Sequence, residues 1–330
     1  MTEIAVINGR RFRQPSLKRP ETYVTTSWDD GNPSDLRVAE LLDKHGLRGT
    51  FYVPMSAETG SLTTRQIREL SSGFEIGAHT IHHVILTRAT KAQAGREIAD
   101  SKSWLEDTIG RPCRMFCPPT GAFSRTHLEL IRRAGFIGVR TVEFGALDPE
   151  RMLGSLVMMP TTVQAYPHGW AAFARNAMKR MAFVNLWRIV VHGRTTDWPK
   201  LAQRMLHYAL DNGGVFHLWG HSWELDEANQ WKRLDDVLQI MKEAIAGVPS
   251  LENGEIAERF LTVSSPGDGS LSDESPTAIP ATPQDAPADS RFSLKVSSPR
   301  RSSSRRGNAA GRARSLQSSR RHGPAGESHD

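Results

Sequence analysis

The chain has 330 residues, 38% of them hydrophobic, and carries 42 Lys and Arg against 36 Asp and Glu. That length accommodates one large domain with a tail or two small domains, and the low apolar content points to a part that builds no core. The basic excess is local, with ten Lys/Arg and no acid between Arg291 and Arg321, so the total charge does not make the remainder a nucleic-acid binder.

Residues 1–20 read as a lead-in, with Arg10, Arg11 and Arg13 among apolar residues and Pro20 at its end. It lacks the unbroken apolar segment of a secretory signal, and no run in the chain approaches the roughly 20 apolar residues of a spanning helix. The only cysteines, Cys113 and Cys117, have three residues between them, which is neither a disulfide framework nor a CxxC pair. These features predict a soluble, cytoplasmic protein.

From Thr22 a rhythm of strand, helix and glycine sets in. Tyr23 to Thr26 are β-prone and end at Trp28-Asp29-Asp30-Gly31. Pro33-Ser34-Asp35 opens a helix with Leu36, Val38, Ala39, Leu41 and Leu42 facing the core, closed by Gly46. Gly49 to Val53 reads as a strand, Thr63 or Thr64 as the cap of a helix carrying Ile67 and Leu70, and Phe74 to Ala78 as the next strand. The spacing then predicts a helix over 92–108, a strand over 114–117, a helix over 126–134 and a strand over 136–140.

The middle is less regular. Residues 148–167 read as loop with one short strand, 170–183 as helix, 185–191 as strand and 192–198 as loop. A helix over 199–210 precedes a strand over 215–219, and the last clear helix covers about 229–246. After Ser264 the composition turns to Ser, Pro, Ala, Gly and Arg, which cannot bury enough surface to offset chain entropy, so 265–330 is predicted disordered. Repeated strand–helix units predict a parallel α/β sheet or barrel, whose sites lie at the C-terminal ends of strands. Asp29 and Asp30, His79 and His83, Pro118 to Thr120, and His221 all follow predicted strands.

Adjacent carboxylates at a strand end repel unless a cation sits beside them. His79 and His83 are four apart, so on a helical turn both rings would face one ion. One carboxylate with two imidazoles leaves open positions on a divalent metal, as hydrolysis needs. The spare acid of the Asp pair can then serve as general base, and His221 as the acid for a departing amine. Each piece alone has a plainer reading. Adjacent acids commonly cap helices or sit in turns, and histidines commonly cap or lie on the surface. His82 and His217 read as bystander and structural residue, Cys117 as a small buried side chain, and Glu224 and Asp226 as loop acids. Trp170, Trp187, Trp219 and Trp223 read as core.

Asp29-Asp30-Gly31, His79-Thr80-x-x-His83, Pro118-Pro119-Thr120-Gly121, Asp197-Trp198 and Leu218-x-x-His221 together resemble, in order and spacing, the motifs of the NodB-homology polysaccharide deacetylases, carbohydrate esterase family 4. The resemblance covers roughly residues 20–250, and it implies a deacetylase domain over about 21–264 with a distorted (β/α)7-type barrel. It also implies a metal-dependent hydrolase that removes N-acetyl groups from a saccharide such as a chitooligosaccharide. By this resemblance Asp29 is the general base, and Asp30, His79 and His83 hold Zn2+, Co2+ or another divalent ion. His221 is the acid, tuned by Asp197, Trp198 lines the acetyl pocket, and the Thr120 backbone N–H helps bind the oxyanion. Three positions depart from the family pattern: Cys117 stands where an Arg usually orients the base, Thr120 replaces an aromatic, and Arg194 replaces an acid. Two other readings follow: the same fold acting on a formyl or other small amide, and a non-catalytic saccharide-binding module. The basic tail is expected to bind anionic polymers weakly at most.

Overall fold

Each apolar strand of the first half is followed by an amphipathic helix that returns over the sheet, and this connection makes successive strands parallel. The computed structural model describes residues 4–7, 10–13, 21–58 and 60–263. The tail expected over 265–330 and most of the lead-in expected over 1–20 lie outside them, apart from an antiparallel pair, β1 (Ile4–Ile7) and β2 (Arg10–Arg13).

In chain order, β3 (Thr22–Asp29), α1 (Asp35–His45), β4 (Thr50–Val53), α2 (Thr64–Ser71), β5 (Glu75–Ala78) and α3 (Lys91–Ile109) come first. β6 (Met115–Phe116), α4 (Arg125–Arg133), β7 (Gly138–Arg140), β8 (Glu150–Met152), β9 (Leu156–Met159) and β10 (Val163–Gln164) follow. Then come α5 (Trp170–Arg180), α6 (Phe183–Arg188), α7 (Trp198–Asn212), β11 (Gly214–His221), α8 (Ser222–Glu227), α9 (Trp231–Ala244) and α10 (Asn253–Val263). The nine-stranded sheet runs β10-β11-β3-β4-β5-β6-β7-β9-β8, parallel throughout except for β8 against β9. Its two edges, β10 and β8, do not pair, so the sheet is an open form of the expected α/β barrel.

Alternation along β3 assigns its two faces. Val24 and Trp28 join Val38 and Leu42 of α1 in the core between sheet and helices. Tyr23 joins Tyr52, Met115, Cys117, Val157 and Val215 in a second core on the inner face. Asp29 lies on that same inner side at the strand's C-terminal end, which is how the alternation delivers a carboxylate to the mouth of the barrel.

The opposite end is closed by α10, which the sequence reading did not anticipate. Leu251, Ile256 and Ala257 complete the inner core, and Asn253, fully buried, ties the helix to two strands, β3 and β4. Its N–H donates to Thr50 Oγ1 at 3.0 Å, its Oδ1 accepts from Thr25 Oγ1 at 2.9 Å, and its Nδ2 donates to Tyr52 Oη at 2.9 Å. Asn253→Ala leaves two buried hydroxyls short of a partner and is expected to destabilise the fold by about 3 kcal/mol. Urea denaturation checks this; a loss near zero would show that α10 does not hold the barrel shut.

The middle departs from expectation. Residues 148–167 hold three short strands instead of one. The strand expected over 185–191 is instead α6 and a single π-type turn, Ile189–Gly193. Its β-branched and aromatic residues suggested a strand, but Leu186 and Ile189 turn inward while Phe183, Val184, Trp187 and Val190 lie exposed. Among the described residues no helix is long and apolar enough to cross a membrane.

Candidate active site

The backbone after β3 turns sharply because Asp30 and Gly31 both adopt positive φ, 77° and 62°. A Cβ on Gly31 would meet Val53 Cγ1 at 2.9 Å, so a glycine is required there on both counts. The turn separates the two carboxylates, both buried, and aims them to different partners.

Asp30 meets the two histidines. Its Oδ1 lies 3.4 Å from His79 Nε2 and 3.1 Å from His83 Nε2, while its Oδ2 accepts from Trp223 Nε1 at 2.9 Å. The histidines do not reach it from a helical turn. Residues 79–85 form a loop in which Thr80 and His83 have positive φ, 65° and 52°. Glu97 of α3 pegs this loop: its Oε2 accepts the N–H groups of Ile81 and His82 at 3.0 Å each, and its Oε1 takes His82 Nδ1 at 2.8 Å. Those bonds hold the Glu97 carboxyl below its ordinary range, against the effect of burial.

His79 Nδ1 lies 2.6 Å from the Cys117 carbonyl. A carbonyl only accepts, so Nδ1 carries the proton and Nε2 presents its lone pair toward Asp30. Burial lowers the His79 pKa, which keeps the ring in its neutral, ligating form. For Asp30, burial works upward, but the close approach of the His79 and His83 imidazoles outweighs it and holds the carboxyl far below the usual carboxylate range. Asp30, His79 and His83 present ligand atoms within 4.8 Å of one another. This donor set suits a divalent metal. A second triple, Asp29, His79 and Cys117, also falls within that distance. It is the poorer fit, because burial and the Asp30 charge raise the Cys117 thiol well above its usual range and so keep it protonated.

Asp29 is held otherwise. Arg140, fully buried on β7, donates through Nη2 to Asp29 Oδ2 and stacks over Trp219 with its Cζ 4.6 Å from the ring centroid. The register pairs Phe116 with Val139, so Cys117 and Arg140 stand next to each other on neighbouring strands. The guanidinium expected at position 117 is thus supplied from one strand over, and Cys117 Sγ packs 3.8 Å from the same Asp29 oxygen. The sequence reading missed Arg140; the signal was a charged residue ending an apolar strand where sites form.

His221, at the end of β11, closes the group with Nε2 3.9 Å from Asp29 Oδ2 and 4.0 Å from Asp30 Oδ2. Its Nδ1–H donates to Glu224 Oε2 at 2.7 Å, a contact supplied by the first turn of α8. Asp29, Asp30, His79, His83, Thr120, Val142, Trp219, His221 and Trp223 line one cavity of about 280 Å³. Thr120 reaches it on a turn at φ 58°, followed by Gly121 at φ 61°, where a Cβ would meet Val142 Cγ2 at 2.2 Å.

Residues 16–139 match the family model described as polysaccharide deacetylase. Over this region the chain is similar to the polysaccharide deacetylase family. Curated relatives include the peptidoglycan N-acetylglucosamine deacetylase of Listeria monocytogenes, 25% identical over 142 residues, covering 40% of this chain and 30% of the relative. The peptidoglycan N-acetylmuramic acid deacetylase of Bacillus subtilis is 28% identical over 117 residues, 33% of this chain and 25% of the relative. The chain spans about a third of the length of the first curated relatives it matches. In fold it is similar to a crystal structure described as a polysaccharide deacetylase from Mycobacterium smegmatis, with TM-score 0.57 and 17% identity over 79% of this chain and 97% of the other.

Two expected members of the site are elsewhere. Asp197 pairs with Arg233 of α9, not with His221. Trp198 is buried, donates to Gln230 Oε1 at 3.0 Å and lies under Arg233 instead of lining the cavity. The short loop before α7 places the Asp-Trp pair against α9, and Glu224 and Trp223 of α8 occupy the positions beside His221 and Asp30. Asp197→Asn is therefore expected to change the rate of the site's reaction less than about threefold, and Glu224→Gln to lower it about tenfold by freeing the imidazole. Steady-state kinetics on both variants checks this. The reverse order would restore Asp197 as the partner of His221.

Proposed function

We propose that the chain is a metal-dependent deacetylase that removes N-acetyl groups from a saccharide. The observation that carries this reading is the convergence of Asp29, Asp30, His79, His83 and His221, from the ends of β3, β5 and β11, on one cavity. Asp30, His79 and His83 would hold a divalent ion such as Zn2+ or Co2+. Such an ion supplies Lewis acidity toward a carbonyl and toward water.

The remaining steps belong to side chains. Asp29, oriented by Arg140, accepts the proton of the attacking water. His221, with Nδ1–H held by Glu224, acts in its doubly protonated form and donates its Nε2 proton to the departing amine. The Thr120 backbone N–H would donate to the developing oxyanion, a role supported by the position of Thr120 in the cavity wall. Val142, Trp219 and Trp223 form an apolar cup for the acetyl methyl and exclude solvent. A non-catalytic saccharide-binding role drew its support from the departures at Cys117 and Arg194, and Arg140 answers the first of them.

The test is acetate release from N-acetylglucosamine oligomers by the full chain after Zn2+ or Co2+ loading. Acetate above the Asp29→Asn background is expected. No acetate with either ion would contradict the reading, and formate released from N-formyl analogues alone would move it to a deformylase.

A further inference from the structure

Beside the cavity just described lies a second of about 300 Å³ that shares Thr120 and Val142 with it. Its other walls are Phe144, His168, Asn176 and one face of α5, where Ala172, Arg175 and Lys179 recur at helical spacing with Arg180 next to them. Three cations line this cleft and no acid does. The local sequence is one-sided as well: between Gln164 and Thr196 there are five Lys/Arg and no Asp or Glu.

The cleft is built as well as charged. Asn176 is fixed by donating to Val142 O at 2.9 Å and accepting from Phe144 N–H at 3.3 Å. Arg180 donates to Gly121 O at 3.2 Å, which ties it to the turn carrying Thr120, and its Nε is buried without a partner. Glu143, whose charge favours the Arg180 cation, lies outside the cleft wall and accepts from Asn185 Nδ2 at 3.3 Å. Arg175 and Lys179 are exposed, four residues apart, and neither forms an ion pair among the described residues. Like charges at that spacing destabilise a helix slightly, so nothing in the fold itself calls for them.

The geometry points to a subsite for an anionic substituent, a carboxylate or a phosphate, on the unit adjoining the sugar that is deacetylated. This rests on the proposed deacetylase reading and adds a substrate class to it: an N-acetylated saccharide bearing negative charge near the acetamido group. Arg175, Lys179 and Arg180 hold that charge while the acetyl group occupies the neighbouring cavity. Thr120, in the shared wall, lies between the two.

The test measures affinity of the full chain by calorimetry at low salt. Its probes are an N-acetylated oligosaccharide carboxylate, its methyl ester and a phosphorylated analogue. An anionic probe should bind about tenfold tighter than the ester, since two or three partly exposed ion pairs each contribute modestly. Whichever anionic probe is tighter identifies the substituent. The ratio should fall toward one in Arg175→Gln/Lys179→Gln and in about 0.5 M salt, and persist in Lys242→Gln, which removes an exposed charge from α9. A ratio near one in the wild type, a ratio unaffected by the double variant, or no binding of any probe would overturn the subsite. Acetate release is followed on the same samples. Release without anion preference would leave the deacetylase reading and remove the subsite, whereas anion preference without release would do the opposite.

Discussion

Arg140→Met should lower deacetylation by about 10²-fold or more and destabilise the fold by about 3–5 kcal/mol, the cost of leaving a buried carboxylate without its cation. Arg140 is fully buried and its guanidinium meets Asp29, itself almost without exposure. A thermal melt and steady-state kinetics read the two effects separately. The sharper result is the double variant Arg140→Met/Cys117→Arg. It returns a guanidinium to the same carboxylate from the neighbouring strand, so it should recover more activity than Arg140→Met alone. Equal activity in the two would mean that Arg140 acts through packing against Trp219 and Tyr52 and not through Asp29.

Asp29→Asn and His221→Ala should each cost about 10²- to 10⁴-fold in kcat, the range for loss of a general base or acid, and both variants should keep the wild-type metal content. This pairing separates proton transfer from metal binding. Asp29 is bonded to Arg140, while Asp30 faces His79 and His83. Metal lost from Asp29→Asn would show that the two carboxylates share the ion and that the division of roles drawn here is wrong.

The first half of the fold was legible because local signals and topology agree there. Gly46 and Gly110, in left-handed conformation, end α1 and α3 where the sequence placed their ends. Asp29, Asp30, His79, His83 and His221 were legible as a group because each follows a strand. What escaped depends on contacts remote in sequence. Arg140 replaces the expected Arg only through the β6–β7 register, and Glu97 holds the histidine loop from the middle of α3. The helix at 183–188 carries its apolar residues outward, so its pattern imitates a strand. Glu224 was the most accessible omission: an acid three residues beyond a candidate catalytic histidine, at a helix start, was a readable sign. Asp197 and Trp198 were placed by resemblance alone, and the packing of α7 on α9 carries them away.

Metal stoichiometry of the purified full chain, measured beside Asp30→Ala and His79→Ala, tests the central claim most directly. The account predicts about one divalent ion per chain in the wild type, as a single three-ligand site requires, and its loss in both variants. No ion after soaking with Zn2+ or Co2+, or an ion retained by either variant, would contradict it.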